Sequence, residues 1–477
     1  MIFVVCWTLT THGKYSVSGD EPHYLMVSQS LWADGDLDLR NNYQDDDGKR
    51  FGAAGLETGL HALENPAGKL FPAHDVGVPI VLTPLYGLAT AISSVSSEAI
   101  LARFRMTRGL FVYSLISLCM IGLVAWAAAI TRRVLITQGT TSALASIVVL
   151  VAWLSPPVLS NSFLIFPEPF ALFVTAVCLH IAFADDLAPT RRTTLLLAAM
   201  LGVLPWFHRK YAIYAAALLV AVVWQRRSRV ASLPSRDRLL ALAVYLVPQI
   251  GLAVWTGYYW GNIGGPLTMM ELPPFSWNAF RSGSLGLFVD RENGLFVWAP
   301  VFALVPAAWA MAGPRYVPWL LPAASLLLMS AAHERWWGGF SPAGRFLVPL
   351  IPIVLCAGIA ALRQRMFRHA CLALLIPQLF IAADGWQHTR SLWPQGNGHN
   401  RILSDLLAWI GGSETLLPSL RTSPHAMNRA TLEIGALAVV NVLVWAATKW
   451  TSQNQERPDE VARTMRRALR SRPTQGR

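Results

Sequence analysis

The chain consists mostly of long apolar runs, which alternate with short polar loops. A helix needs about 20 apolar residues to cross a bilayer, and in lipid it satisfies its own backbone hydrogen bonds. The pattern predicts spans over 108–130, 141–159, 168–184, 193–207, 210–225, 239–260, 294–312, 315–332, 345–362, 369–384 and 431–449. We therefore expect an all-α polytopic membrane protein with about 11–13 transmembrane helices.

The composition agrees with that class. Charged residues make up 14% of the chain, against about a quarter in an ordinary soluble domain. The net charge of +12 does not indicate a nucleic-acid partner, because the basic residues fall in short loops and at the C-terminus. The densest basic groups are Arg132-Arg133, Arg191-Arg192, 226–238, 363–368 and the tail 451–477. The positive-inside rule places their side in the cytoplasm, and the scarcity of lysine among them favours a bacterial source.

The N-terminus and the cysteines add little chemistry. Residues 1–10 supply only about half of a span, so the first helix is either truncated by a misassigned start or a short anchor. They lack the basic region and cleavage site of a signal peptide. All five cysteines lie in apolar segments, so neither a disulfide framework nor a cysteine metal site is expected. The run Asp34-x-Asp36-x-Asp38 lacks the glycine and the distal glutamate of a calcium loop, and we expect a solvated loop there.

The apolar segment 76–97 decides the sidedness of the first part of the chain. It is long enough to span a membrane, but it contains Pro79, Pro84 and several small residues. A crossing would put Asp20 on the opposite side from Glu168. We expect the segment to lie along the surface or to re-enter, which makes residues 11–107 a large first external loop.

Candidate chemistry collects on that external face. Asp20 precedes Pro22, which favours a helix start with Asp20 as its N-cap. Leu25, Leu31 and Trp32 would give this helix an apolar side fit to lie on a membrane. In the plainest interpretation Asp20 only caps this helix. Glu168 stands between two prolines at the external end of a span. A carboxylate there is costly, which makes it a functional candidate by default.

Four segments together resemble the GT-C superfamily of membrane glycosyltransferases, especially the branch of protein O-mannosyltransferases and lipid A aminoarabinose transferases. Residues 19–24 (Gly-Asp-Glu-Pro-His-Tyr) are similar to its Asp-Glu-x-x-Tyr signature, and residues 71–79 to the juxtamembrane His-x-x-Gly-x-Pro segment. Glu168 takes the place of a second external acidic residue, usually Asp in the aminoarabinose transferases. Residues 336–345 are similar to a Trp-Gly-Gly…Gly-Arg loop of bacterial relatives. The resemblance covers residues 1 to about 365.

The resemblance implies an inverting glycosyltransferase that moves a sugar from a polyprenyl-phosphate donor to a hydroxyl of a lipid, glycan or protein on the external face. A carboxylate would take the hydroxyl proton, which is worth about 10²–10⁴ in rate. The leaving phosphate is already anionic and needs cations, preferably arginine. The implied catalytic residues are Asp20, Glu21 and Glu168. The candidate substrate-binding residues are His74, Arg103, Arg105, Arg209, Lys210, Asp290, Trp337 and Arg345.

The implied partners follow from that reaction. They are membrane lipid, the lipid-linked donor and an acceptor whose class stays open. No cofactor is required, and a role for a divalent metal stays open. The expected location is the plasma (inner) membrane, with the site facing the periplasm or the exterior. The expected organisation is a GT-C-like module over 1–365, C-terminal helices with an external loop over 366–450, and a disordered basic tail over 451–477.

Other interpretations stay open at this point. A transporter or flippase of an amphiphilic lipid would need charged or broken-helix sites near the bilayer midplane, and the spans are nearly free of charge. A non-catalytic scaffold would not need paired carboxylates. The run 208–210 could be snorkelling residues between two helices. His74 and Asp75 could only cap the next segment, and Trp336-Trp337 could be an interfacial anchor.

Overall fold

The computed structural model describes residues 1–11, 17, 19–184, 190–266, 275–409, 411–423 and 427–470, with the side chains of 7–11 and 449–470 left undescribed. It is 72% helical, which confirms the all-α prediction. The α-helices of the described ranges are α1 Ile2–Thr11, α2 Glu21–Ala33, α3 Arg40–Gln44, α4 Gly77–Val95, α5 Glu98–Arg103, α6 Arg108–Thr137, α7 Ser142–Trp153, α8 Val158–Asn161, α9 Glu168–Phe183, α10 Arg191–Phe207, α11 Tyr211–Gln225, α12 Arg227–Ala231, α13 Ser235–Trp260, α14 Trp277–Val289, α15 Leu295–Trp298, α16 Val305–Ala310, α17 Leu320–Ala331, α18 Ile351–Gly358, α19 Arg365–Gln387, α20 Arg401–Ala408 and α21 Met427–Arg470.

Shorter elements join these helices. The 3-10 helices are Asp47–Phe51, Pro300–Leu304, Pro314–Trp319, Arg345–Leu350, Ile359–Arg363, Thr389–Leu392 and Glu414–Leu416. Two strands, β1 Ala62–Glu64 and β2 Leu70–Pro72, pair antiparallel with Leu63 opposite Phe71.

The chain is a multi-pass membrane protein. Within the described residues, six helical segments are long and apolar enough to cross a bilayer by length and composition: Gly77–Val95, Arg108–Thr137, Ser235–Trp260, Arg345–Arg363, Arg365–Gln387 and Met427–Thr448. Four shorter apolar helices accompany them: Ser142–Trp153, Glu168–Phe183, Tyr211–Gln225 and Pro300–Ala310. The last helix runs through the first part of the basic tail to Arg470, and residues 471–477 lie outside the described part of the chain.

Prolines divide some of the predicted spans. The range 294–312 is not one helix but α15, a 3-10 helix and α16 in succession. Pro300 opens the 3-10 helix and Pro306 lies in the first turn of α16. Proline has no N–H to donate and its ring clashes with the preceding turn, so a continuous α-helix is interrupted at these positions.

The basic loops 191–192 and 226–238 lie at the same end of the helices. Arg191 Nε lies 3.5 Å from Asp237 Oδ1, and Arg226 Nε donates to the carbonyl of Ile181 at 2.9 Å. Ile181 lies near the end of α9, whereas Glu168 begins that helix. Because α9 has 16 residues and is about 24 Å long, Glu168 lies at the opposite end of the helices from the basic loops.

Helix α2 lies inside the protein. Its residues Glu21–Ser30 are all buried, because α4 and the segment 40–51 cover them. Leu25 is fully buried while Trp32 is 54% exposed. The expectation that Leu25 belongs to a face lying on the membrane is therefore wrong.

Helix α4 is apolar on both of its faces. It packs against α2 and α6 with a face that includes Leu82 and Tyr86. Its other face exposes Ile80, Val81 and Leu88. Such a helix suits contact with hydrocarbon on one side and protein on the other. That it lies against the external face without crossing stays a prediction.

Candidate active site

Arg345 joins the two acidic motifs of the chain. Its Nη1 donates to Asp20 Oδ2 at 3.0 Å, and its Nε lies 3.1 Å from Glu168 Oε2. The side chain of Arg345 is only 5% exposed. A buried arginine between two carboxylates is held in one geometry by its planar guanidinium.

Asp20 does not use its carboxylate as a helix cap. It lies at the N-cap position of α2, but its side chain accepts no capping hydrogen bond. The carboxylate instead faces Arg345 through Oδ2, and its side chain keeps 23% of its surface exposed. Burial alone would raise the pKa of Asp20, but Arg345, His74 and His61 hold the pKa of this carboxyl well below its usual range. Asp20 is therefore ionised at neutral pH and open to a ligand.

A glycine fixes the position of Asp20 against the loop that precedes Arg345. Gly19 has a φ of +61°, and a Cβ there would lie 2.6 Å from the carbonyl oxygen of Phe340. Only glycine combines this left-handed backbone with such a close approach. The carbonyl of Gly338, in the same loop, accepts a hydrogen bond from Arg345 Nη1 at 3.3 Å. The first and last motifs of the resemblance are thus in direct backbone contact.

Glu168 is completely buried and lies between two cations. Its Oε1 accepts a hydrogen bond from Lys210 Nζ at 2.7 Å, while its Oε2 faces Arg345. Glu168 is the first residue of α9, and Lys210 directly precedes α11. The two helix starts are therefore joined by charge, and Lys210 does not snorkel towards water.

Aromatic rings surround the two cations. The guanidinium of Arg345 lies 3.8 Å from the ring centroid of Phe166, and Lys210 Nζ lies 3.8 Å from that of Phe346. Ring faces attract cations and exclude water. They hold the positive charges in a dry setting, where each charge interacts more strongly with an anion.

Two histidines face the exposed side of Asp20. His61 Nδ1 and His74 Nε2 are 2.7 Å apart, and each lies 3.9 Å from Asp20 Oδ1. The β1–β2 hairpin brings them together, since the N–H of Ala73 donates to the carbonyl of His61 at 2.9 Å. Burial and the neighbouring His74 lower the pKa of His61 to about 4, so its ring is neutral at neutral pH. These three side chains offer donor atoms that could hold a metal ion.

Arg209 pairs with Asp75 and not with the carboxylates that contact Arg345. Its Nε donates to Asp75 Oδ1 at 2.7 Å, and its backbone N–H donates to Asp75 Oδ2 at 2.8 Å. Gly77 allows the start of α4 to lie close to the end of α10, because a Cβ at this position would lie 2.5 Å from the backbone of Trp206. Neither Asp75 nor His74 caps α4, whose N-cap residue is Val76.

Glu21 binds two parts of the protein core. It is fully buried, and its Oε1 accepts hydrogen bonds from the Tyr113 hydroxyl and the Ile165 N–H, each at 2.9 Å. These contacts tie the start of α2 to α6 and to the segment before Glu168. Glu21 therefore faces away from the exposed side of Asp20.

Asp290 and Trp337 belong to a neighbouring loop arrangement. Asp290 Oδ1 accepts from the N–H groups of Glu292 and Asn293, and its Oδ2 accepts from the N–H of Leu420 at 2.7 Å. The guanidinium of Arg421 lies 5.0 Å from the Trp337 ring. Asp290 thus fastens the segment around residue 420 beneath Trp337.

The remaining candidate cations lie elsewhere. Arg103 and Arg105 are exposed, and among the described residues no hydrogen bond, ion pair or ring contact joins them to Asp20, Glu168 or Arg345. The structure therefore brings together Asp20, Glu168, Lys210, Arg345 and His74, and leaves Arg103 and Arg105 apart.

Sequence reasoning did not single out His61 and His23. The rings of the two stack with centroids 3.7 Å apart, and His23 Nδ1 lies 2.7 Å from the Tyr43 hydroxyl. One signal was available: two short apolar runs flank Asn65-Pro66-Ala67-Gly68, which is typical of a hairpin turn. That hairpin would have placed His61 opposite Ala73, the residue before His74.

Comparison with known proteins gives one similar structure. No family model matches the chain, and no curated protein matches it. The fold is similar to that in the crystal structure of ArnT from Cupriavidus metallidurans bound to undecaprenyl phosphate, with 14% sequence identity and a TM-score of 0.43. The match covers 94% of this chain and 73% of that chain. A likeness of this size does not by itself assign a substrate or an activity.

Proposed function

We propose that this protein is an inverting glycosyltransferase that uses a polyprenyl-phosphate sugar as donor and a hydroxyl as acceptor. The observation that carries the proposal is the contact of Arg345 with both Asp20 and Glu168. It places a partly exposed carboxylate beside a fixed cation, as a displacement at a sugar phosphate requires. The carboxylate accepts a proton and the cation holds the leaving phosphate.

The proposed reaction is a single displacement. The acceptor oxygen forms a bond to the anomeric carbon while the bond from that carbon to the phosphate oxygen breaks. The electron pair leaves with the phosphate, and the hydroxyl proton passes to Asp20 Oδ1. This oxygen suits the role because Oδ2 already accepts the hydrogen bond of Arg345.

Binding of the donor is expected to activate Asp20. In the resting protein Arg345 lowers the pKa of Asp20, which makes it a weak base. A donor phosphate at Arg345 shares that positive charge and adds a negative charge beside Asp20. Both effects raise the basicity of a carboxylate, so the base becomes stronger when the donor is in place.

Glu168 and Lys210 act on the site through Arg345 in this proposal. Both oxygens of Glu168 face cations, and the residue is buried, so it does not accept the substrate proton. It fixes the direction of Arg345. Glu21 supports the backbone beside Asp20 through its contacts with Tyr113 and Ile165.

The reaction is assigned to the external face. The site lies at the start of α9, at the opposite end of that helix from the basic loops, and the positive-inside rule makes those loops cytoplasmic. The acceptor would then be a lipid, glycan or protein of the cell envelope.

Native mass spectrometry of the purified full chain tests the donor assignment. The protein is expected to retain a polyprenyl phosphate, and Arg345→Gln should weaken the binding at least about tenfold, as expected for loss of a charged hydrogen bond to phosphate. Arg40→Gln is the control, since Arg40 pairs with Glu64 on the surface. Absence of any polyprenyl phosphate binding, or equal binding by wild type and Arg345→Gln, would contradict the proposal.

A further inference from the structure

The side chains of Asp20, His61 and His74 form a cluster whose donor atoms converge. Asp20 Oδ1, His61 Nδ1 and His74 Nε2 lie within 4.8 Å of one another. The side chains of the two histidines are 28% and 30% exposed, so an ion from solution can reach them. One carboxylate oxygen and two imidazole nitrogens are ligands of borderline divalent metals.

The spacing of the three atoms fits metal–ligand bonds. With one separation of 2.7 Å and two of 3.9 Å, a point in their plane is equidistant from all three at about 2.1 Å, the length of a zinc–nitrogen or zinc–oxygen bond. The two nitrogens need only move slightly apart to reach regular angles at the ion. Three protein ligands leave one position of a four-coordinate site for a water or another oxygen.

The surrounding contacts hold the ligands in place. Arg345 orients the carboxylate of Asp20 by taking Oδ2, which leaves Oδ1 towards the histidines. The ring of His23 stacks on His61 and is itself held by the Tyr43 hydroxyl. Such outer contacts orient metal ligands and contribute to affinity.

We infer that Asp20, His61 and His74 form a binding site for one divalent transition-metal ion of the zinc class, with an open coordination position. Magnesium and calcium fit less well, because they prefer sites made of oxygen ligands. The site stands on geometry and does not depend on the proposed glycosyl transfer. An ion there would occupy Asp20 Oδ1, the oxygen assigned as proton acceptor, so the occupied form is expected to be a resting state of the enzyme.

Cobalt titration of the purified full chain tests the inference. The tag is removed, the protein is stripped with EDTA, and Co²⁺ is added while its visible ligand-field absorption is recorded. We expect one equivalent to bind, with a signal that Zn²⁺ abolishes and Mg²⁺ and Ca²⁺ do not.

Two matched variants locate the ion. His61→Phe keeps a ring on His23 but removes the donor nitrogen, and it should weaken Co²⁺ binding more than about tenfold, the smallest loss expected even for an outer contact. His399→Phe removes an exposed histidine that pairs with Glu414 and should leave binding unchanged. Size-exclusion profiles show whether the variants are folded, and His74→Gln serves as a second test if His61→Phe is not. The inference is overturned if the wild type binds no equivalent of Co²⁺, or if folded ligand variants bind it as tightly as the wild type.

Discussion

Arg345 and Asp20 are 325 positions apart in the chain, yet Arg345 Nη1 donates to Asp20 Oδ2 at 3.0 Å. The contact connects the start of α2 with the loop before the Arg345–Arg363 segment. It sets the ionisation of Asp20 and places a cation beside it. The proposed chemistry depends on this pair.

The backbone support of Asp20 is tested by Gly19→Ala. The added Cβ would meet the carbonyl oxygen of Phe340 at 2.6 Å, at a residue whose φ is already +61°. Either Asp20 or the loop of Phe340 must shift, and a displacement of about 1 Å can cost about 10² in rate. Turnover in the transfer assay should therefore fall by about that factor.

Gly35→Ala provides the matched control for Gly19→Ala. Gly35 also has a positive φ, of +74°, but nothing lies within 4 Å of its Cβ position. Gly35→Ala should lower the free energy of unfolding only by the backbone strain of about 1–2 kcal/mol, and it should leave the rate of sugar transfer unchanged. Equal losses of rate in both variants would show that strain, rather than the contact with Phe340, is responsible.

The stability of the site is tested by Arg345→Met. This change leaves the buried Glu168 with Lys210 as its remaining cation and removes the arginine that pairs with Asp20. Removing one member of a buried group of charges lowers the free energy of unfolding by about 3–5 kcal/mol. Arg40→Met breaks an exposed pair with Glu64 and should cost at most about 1 kcal/mol. Thermal and chemical unfolding in detergent compares the two variants, and similar stabilities would refute the role given to Arg345.

The coupling of Glu168 with Lys210 is tested by a double-mutant cycle. Glu168→Gln leaves Lys210 without its counter-charge, and Lys210→Met leaves Glu168 with one cation fewer. Each single change should destabilise the protein strongly, and the double change by less than the sum of both. The coupling energy should reach about 0.5–3 kcal/mol. Additive losses of stability would mean that the 2.7 Å contact contributes little.

Much of the fold could be read from the sequence, because lipid imposes a simple pattern. The ranges 210–225 and 239–260 correspond to α11 Tyr211–Gln225 and α13 Ser235–Trp260. In lipid a run of apolar residues has almost no alternative to a helix. The pattern did not reveal how prolines break the range 294–312, since that depends on local backbone geometry.

The site was only partly accessible from the sequence. Glu168 stood out because a carboxylate beside a span is costly, Asp20 and Arg345 stood out through the resemblance of their motifs, and the structure brings the three together. His61 did not stand out, because a lone loop histidine acquires meaning only from the hairpin that places it beside His74. Glu21 accepts hydrogen bonds from Tyr113 and Ile165. Both residues are far from Glu21 in the sequence, so these contacts could not be inferred.

The position of α4 is tested by cysteine labelling. Asp20 and Glu168 are held by the same arginine, so they lie on one side, and the chain between them must cross the membrane an even number of times. If α6 and α7 both cross, α4 does not. Ala54→Cys and Ala102→Cys, made singly in a cysteine-free chain, should both react with an impermeant maleimide on intact cells.

A cytoplasmic control accompanies the labelling. Ala231→Cys, among the basic residues of 226–238, should react only after the membrane is opened. Labelling of Ala54→Cys and Ala102→Cys from opposite sides would mean that α4 crosses.

The role of Asp20 as the base of a glycosyl transfer is tested by Asp20→Asn, with two measurements on one preparation. Asparagine keeps an oxygen for Arg345 but cannot accept a proton. Polyprenyl phosphate binding should be at least as tight as in the wild type, because Arg345 loses a competing anion. The transfer rate with the lipid-linked donor should fall by about 10² or more. Near-normal turnover by Asp20→Asn would show that Asp20 is not the base of the reaction.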